Sequence, residues 1–429
     1  MTANRERMLG LALIVLTTIA MPGCDKFLDV TNPNNLESEN IDPDSDARLL
    51  GQSVYQKFVS DWGDTGESFP VYIAWYTGSA YVGDTYPTRN DFGRRDIPWN
   101  NGHINTFWSD IHENISFART TIRSIEEAGP TLDLAKSWFV SGLMILVQAE
   151  CYCEGTIYDS DNGEPRGPMP TVELLDSAIV NLQNVITVAQ GVTGDDAADA
   201  ADIAMAARVG IARAHLQAGR LSEAAAMAGQ VPESFAFYLW HLDDSSNRSL
   251  GNSVWGFSEA RISLVVPPVF RAMADAGDPR IAYVDMERVA QDGVLNFYRQ
   301  DKYKGWGSSE RFASGLEARY IKVEAEQNPG AMLAFINERR AAGNQAPMAT
   351  TTDMGALMTE LMEQKTRDFW LEGRRMADFR RVPQYMSYVI PAGDDTYYKP
   401  ELGIVKGETC WPVPRNEYDN NPKFISPGG

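Results

Sequence analysis

The chain of 429 residues is 44% apolar and carries a formal charge of −20, enough hydrophobic content for a large core and, at ~100 to 200 residues each, two or three subdomains. Such an acidic surface repels phosphate backbones, so nucleic acid is not an expected partner, and the apolar content excludes a disordered chain. Four cysteines are too few for a disulfide scaffold and form no Cys-x-x-Cys pair.

Arg5 and Arg7 precede an apolar run, Met8 to Met21, whose ~21 Å as a helix falls short of the ~30 Å hydrocarbon layer. A basic start, a short apolar run and small residues at its end are the pattern of a secretory signal peptide. Cys24 follows Gly23, and the junction resembles the lipobox of bacterial lipoproteins, where the cysteine is lipidated and becomes the first residue. Met21 stands where that motif has Leu, and Pro22 is atypical; the alternative is an ordinary signal peptide with an incidental cysteine. The expectation is a signal peptide over 1–23, a lipid anchor on Cys24 contributing ~0.8 kcal/mol per buried CH₂, an extended tether over 24–40 and a single body over 41–429.

Within that body, residues 41–235 read as N-terminal helical repeats, 236–310 as irregular, and 311–429 as C-terminal helices with an extended tail. Thirteen aromatics fall between positions 54 and 108, and the stretch 78–103, "GSAYVGDTYPTRNDFGRRDIPWNNGH", has no period. A long loop rich in rings is a candidate binding element. Flat rings offer an apolar face to the C–H side of a sugar, and short polar side chains meet its hydroxyls. The candidate ligand residues are therefore Trp75, Tyr81, Tyr86 and Trp99 with Asp84, Arg89, Asn90 and Asp91; the competing assignment of any one ring is to the core.

Ile104, Trp108, Ile111, Ile115, Ala118, Ile122 and Ile125 recur at steps of four and three and predict a helix ending at Gly129-Pro130. "LAKSWFVSGLMILVQAECYCEG" is apolar nearly all round, as in a helix buried among helices; Cys151 and Cys153 read there as small core residues, with Cys410 free to pair with either in an oxidising compartment. Leu175, Ala178, Ile179, Leu182 and Ile186 repeat the stripe. Ala212, His215 and Leu216, a turn at Gly219, and Ala224, Ala225 and Ala228 resemble one tetratricopeptide unit, in which small residues let paired helices approach closely. Trp255, Tyr298 and Trp306, from the irregular middle, are secondary ligand candidates. Helices return in "GLEARYIKVEAEQN", "GAMLAFINERRAAGN" and "DMGALMTELMEQKTRDFWLEGRRMADFRR". In the last of these, helical spacing allows Glu372 to pair with Arg375 and Arg374 with Asp378. Prolines 412, 414 and 422 forbid a helix in the tail and leave Trp411 as its anchor.

"EARYIKVEAE" with "INERRAAG", then "RDFWLEGRRMADFRR", then "CWPVPRNEYDNNPKF", together with "CDKFLDVTNPN" at the start, resemble the SusD/RagB family of outer-membrane nutrient-binding lipoproteins. The resemblance implies a mainly α, SusD-like helical fold with tetratricopeptide-like helix pairs and irregular loop-rich insertions. It also implies a lipid-anchored protein at the outer membrane that binds oligosaccharide and passes it to a SusC-like TonB-dependent transporter, with some relatives suited to peptides. These end motifs identify a fold and do not form the binding site.

No enzyme motif stands out: there is no Gly-x-Ser-x-Gly, His-Glu-x-x-His or phosphate-binding loop. His103, His112, His215 and His241 lack ligand spacing and read as structural. Asp159–Glu164 and the acidic residues of 42–46 only loosely resemble calcium loops, so no metal and no cofactor is called for. The alternatives to a glycan-binding lipoprotein are a surface glycoside hydrolase, which needs only two placed carboxylates, and a peptide- or protein-binding helical-repeat lipoprotein.

Overall fold

The computed structural model describes residues 43–63, 66–158, 166–246, 248–393 and 396–425. Cys24, the leader and the tether lie outside them, as do Asp159–Glu164 and the acidic side chains of 42–46.

Helices dominate, as the stripes predict. α1 (Pro43–Trp62), α2 (Phe69–Tyr76), a two-residue strand β1 (Tyr81–Val82) and α3 (Pro87–Arg94) lead into α4 (Gly102–Ile125). Asn101 caps α4 by accepting the His103 N–H at 2.9 Å, and the whole predicted stripe from Ile104 to Ile125 is buried. α5 (Leu132–Cys151) is capped by Thr131; it is long and apolar enough to cross a membrane, but its faces are covered by α1, α4, α6 (Thr171–Ala189) and α7 (Ala197–Gln217). Two glycines make this packing possible. A Cβ on Gly142 of α5 would fall 2.7 Å from Leu182 Cγ, and one on Gly210 of α7 would fall 2.9 Å from Leu182 Cδ1, so Leu182 of α6 sits in a slot between neighbours that lack side chains.

Gly219, at φ 73°, turns α7 into α8 (Leu221–Ala228), with Ala224 and Ala228 buried as the repeat pattern requires. Only a residue without a Cβ adopts this backbone at no steric cost. Buried Arg213 then ties three helices together, donating to Glu317 at 2.8 Å and pairing with Glu150 at 3.5 Å.

The middle is more ordered than its sequence promises. β2 (Ala236–Leu239), β3 (Leu264–Val265), β4 (Tyr283–Val289), β5 (Asn296–Gln300) and β6 (Glu310–Ser314) form three antiparallel pairs, β1 with β3, β2 with β6 and β4 with β5, and α9 (Pro268–Asp275) lies among them. These strands are only two to seven residues long. Register shifts at Phe237/Tyr238 and between Asp285 and Val289 break their alternation, which is why no strand period shows.

α10 (Gly315–Glu326), α11 (Pro329–Ala342) and α12 (Met354–Asp368) are each opened by a side-chain cap, from Ser314, Asn328 and Asp353. They share a second apolar cluster of Tyr320, Met332, Phe335, Ile336, Leu357 and Leu361. The expected continuous helix through "FWLEGRR" is broken. Leu371 at φ 60° and Gly373 at φ 68° turn the chain before α13 (Arg375–Arg381), so the two ion pairs predicted from helical spacing do not form. Glu372 instead pairs with Lys302 at 2.5 Å and Arg311 at 3.0 Å, and Asp378 with Lys365 at 2.8 Å and Arg381 at 3.1 Å.

Trp411 is the tail's anchor, fully buried with its ring 5.2 Å from Phe92 and 5.2 Å from Phe107. The tail is less extended than expected, since a short helix, α14 (Arg415–Asn420), follows Pro414, which stands in extended backbone at its N-cap, where proline's missing N–H removes no helical hydrogen bond. Cys153 and Cys410 form a disulfide with Cα atoms 5.1 Å apart. Cys153 is therefore an exposed bridging residue, while Cys151 is the one free thiol among the described residues and is buried.

Candidate ligand-binding surface

The aromatic stretch divides sharply between interior and surface. Trp75 lies in α2, not in a loop, and is 1% exposed; Tyr72 packs 4.8 Å and Phe257 5.4 Å from its ring, which leaves no face for a ligand. The expected loop 78–103 is itself folded, with β1 and α3 inside it. Tyr86 and Trp99 remain at the surface, 56% and 39% exposed, and Tyr81 is half-buried beneath Tyr398, the two rings stacked at 3.7 Å.

The four polar candidates are buried, and their hydrogen-bonding capacity is largely spent inside the protein. Asp84 accepts from the Tyr86 N–H at 2.9 Å and from Arg89. Arg89 also donates to the Tyr72 hydroxyl at 3.1 Å. Asn90 donates to the carbonyls of Asp84 and Tyr86 and accepts from Tyr397 and Lys399. Asp91 accepts from Arg94 at 2.8 Å and from Asn101 at 3.0 Å. Asp84, Arg89, Asn90 and Asp91 thus shape the surface from beneath, correcting the expectation that they meet sugar hydroxyls; a buried polar group left unpaired would cost ~1–3 kcal/mol. Their network has a positioning effect. Arg89 lies 5.0 Å from the Tyr86 ring, and Asn101 donates to the Thr88 carbonyl at 2.9 Å, so Tyr86 and Trp99 each stand two residues from one bridge. Trp99 is steadied by Tyr418 at 5.7 Å and by the Arg415 guanidinium at 5.8 Å.

The secondary candidates are each half-buried and each faces an arginine: Trp255 with Arg299 at 5.2 Å, Tyr298 with Arg271 at 3.6 Å, and Trp306 with Arg248 at 5.6 Å. A pair that composition did not flag is more open. Trp240 is 75% and Tyr238 39% exposed, with ring centroids 6.2 Å apart. The signal was present in "AFYLWH", where Tyr238 and Trp240 alternate with the buried Leu239.

Tyr238 borders a groove of about 800 Å³. Its lining holds five basic side chains, Arg280, Lys302, Lys304, Arg311 and Arg339, against three acidic ones, Asp301, Asp368 and Glu372, in a chain whose overall charge is −20. On its floor Arg339 forks onto Asp368 with two 2.9 Å bonds, and Arg280 reaches the same carboxylate at 3.2 Å.

The histidines behave as structural groups. His103 bonds Glu67 at 2.9 Å, a partner that holds the Glu67 carboxyl below its usual range. His215 accepts from Arg220 Nε at 3.0 Å. Burial lowers His112 to about 3 and His241 to about 4, so both are neutral at physiological pH. Burial acts in the opposite sense on Glu310, which accepts from Trp62 Nε1 at 3.1 Å and is raised to about 7. Among the described residues no group of three or more His, Cys, Asp or Glu side chains is arranged to hold a metal.

This mainly α body with its helix pairs and short antiparallel ribbons is similar in fold to solved structures of SusD-type proteins over about nine-tenths of the chain. A SusD superfamily protein from Bacteroides vulgatus superposes with a TM-score of 0.65 at 15% identity, covering 90% of this chain and 98% of its own. A SusD-like carbohydrate binding protein from the same organism gives 0.65 at 14%, covering 89% and 97%. A SusD/RagB family protein from Bacteroides thetaiotaomicron gives 0.63 at 15%, covering 88% and 94%. No family model matches the sequence, and no curated protein matches it; the likeness is one of fold.

Proposed function

We propose that this protein is a glycan-binding lipoprotein of the outer membrane, anchored through Cys24, which captures oligosaccharide and hands it to a SusC-like TonB-dependent transporter without covalent chemistry. The observation that carries this reading is the chain-long fold match to SusD-type structures, one of them described as a carbohydrate binding protein. The exposed rings of Tyr86 and Trp99, on one braced segment, support it as the surface that stacks on sugar. Tyr81 contributes an edge. A shallow site of a few rings binds weakly, on the order of micromolar to millimolar, because association entropy offsets much of the contact energy.

Electrophoresis of the purified protein through gels containing candidate polysaccharides tests the binding: retardation is expected, and it is reduced by Tyr86→Ala and Trp99→Ala. Release of reducing sugar from the gel would instead favour a hydrolase. Labelled palmitate is expected on the wild type and not on Cys24→Ser, and its absence from both would remove the anchor.

A further inference from the structure

We infer that the groove beside Tyr238 is a second carbohydrate site, selective for acidic oligosaccharides bearing carboxylate or sulfate. The inference rests on the glycan-binding reading above and adds the chemical class of one ligand.

Three features converge on an anionic sugar. First, β2 and β6 pair so that Tyr238 stands directly across from Arg311, and side chains opposite one another on a ribbon lie about 5 Å apart at Cβ. An aromatic face and a guanidinium are thereby presented side by side. Second, the groove's carboxylates are all paired, and although Arg280, Lys302, Arg311 and Arg339 share those pairings, basic side chains still outnumber acidic ones in the lining and Lys304 stands exposed. Glu372 accepts from both Lys302 and Arg311, and Asp368 accepts from Arg280, Arg339 and the Tyr320 hydroxyl, so neither is free to take a cation or a sugar hydroxyl. Lys304, its side chain 73% exposed, meets only Asp301, at 3.3 Å. Lys302 uses two of its three donors, on Glu372 and the Trp370 carbonyl, and burial lowers its pKa, opposed by Glu372; an arriving anion would relieve that penalty.

Third, the wall that carries the lysines is built to hold its shape. Buried Gln300 accepts from the N–H groups of Lys302 and Tyr303 at 2.9 and 2.8 Å and donates to the Tyr303 carbonyl at 3.0 Å. Ser308 Oγ accepts from the N–H groups of Lys304 and Gly305 at 3.0 and 3.1 Å, and Asn252 donates to the Ser308 carbonyl at 2.9 Å. Little ordering entropy then remains for binding. A positive cleft in an acidic protein also concentrates anionic ligands selectively.

The test is titration of the full purified protein with a galacturonate tetrasaccharide, a chondroitin sulfate tetrasaccharide, a neutral maltotetraose and poly-glutamate, at about 50 and about 300 mM salt. Tyr238→Ser and Lys304→Gln are the variants, both at exposed positions, with unfolding temperature as the control for folding. The expected result is binding of one or both acidic sugars, weakened by the higher salt and weakened a further three- to fivefold or so by each variant, with maltotetraose unaffected by either. The preferred acidic sugar tells carboxylate from sulfate. Acidic sugars that bind both variants as tightly as they bind the wild type overturn the assignment, and so does poly-glutamate that displaces them at equal affinity, which would mark a surface for acidic peptide. If maltotetraose or another neutral glycan binds and the acidic ones do not, this inference alone falls; if no glycan of any kind binds, the proposed function falls as well.

Discussion

The stretch from Tyr55 to Trp108 and the ribbon around Tyr238 use the same residue types in opposite ways. The first is dense in rings, and most of them, Trp62, Phe69, Tyr72, Trp75, Phe92 and Phe107 among them, are buried in a cluster closed by Trp411 from the far end of the chain. The second has few rings, and it exposes them beside a groove lined by more basic than acidic side chains. Aromatic density in sequence therefore marks where the core is nucleated, while exposure follows from alternation on a short strand or from placement at a helix start, as with Tyr86.

The largest effect that would break this contrast is on stability. Trp75→Ala and Trp411→Ala are expected to cost ~3–5 kcal/mol each in denaturant unfolding, while Tyr86→Ala and Trp240→Ala stay within about 0.5 kcal/mol. If Trp75→Ala left stability intact and abolished sugar binding, the core assignment would be wrong. Next comes the disulfide, which closes a separation of 257 residues between α5 and the tail; Cys153→Ser with Cys410→Ser should lower stability by ~2–4 kcal/mol, read as a drop in unfolding temperature without loss of helical signal.

The pH dependence sharpens the same contrast between buried and exposed groups. His112 and His241 have folded values of about 3 and 4, below the ordinary 6.5. Their contribution is thus fully present above pH 6.5 and is lost as pH falls toward those values. Glu310 works in the other direction, since its value rises from 4.5 to about 7: burying it is free below pH 4.5 and costs progressively more up to pH 7. Glu310→Gln keeps an acceptor for Trp62, and its stability advantage over wild type should grow from near zero at pH 4.5 to ~1–3 kcal/mol at pH 8. A difference independent of pH would show that Glu310 is charged throughout. A smaller loss, ~1–3 kcal/mol, is expected for Gly142→Ala, which drives a methyl into Leu182; chemical denaturation measures it.

How much of this was legible in the sequence depends on the length scale of the signal. α4 to α8 could be read because stripes of Ile, Leu and Ala persist over several turns, and the Gly219 turn because glycine is the natural residue there. The β2, β4 and β6 strands could not, because each is short, a register shift interrupts both the β2–β6 and the β4–β5 pairing, and β2 and β6 are distant from each other in the chain. The break at Leu371 was hidden because leucine is a good helix former and only the tertiary pairing of Glu372 with Lys302 and Arg311 favours the turn. In the candidate site, Tyr86 and Trp99 are the two candidate rings that stand at the surface. The burial of Asp84, Arg89, Asn90 and Asp91 was not legible, because their partners Tyr72, Tyr397 and Lys399 come from other parts of the fold.

The most direct measurement is the affinity of purified wild-type protein and the Tyr86→Ala/Trp99→Ala double variant for a panel of glycans, followed by tryptophan fluorescence or calorimetry. Saccharide binding that the double variant weakens about tenfold or more, at unchanged unfolding temperature, is the predicted result. Binding of equal strength in both proteins would contradict the placement of sugar capture on those two exposed rings.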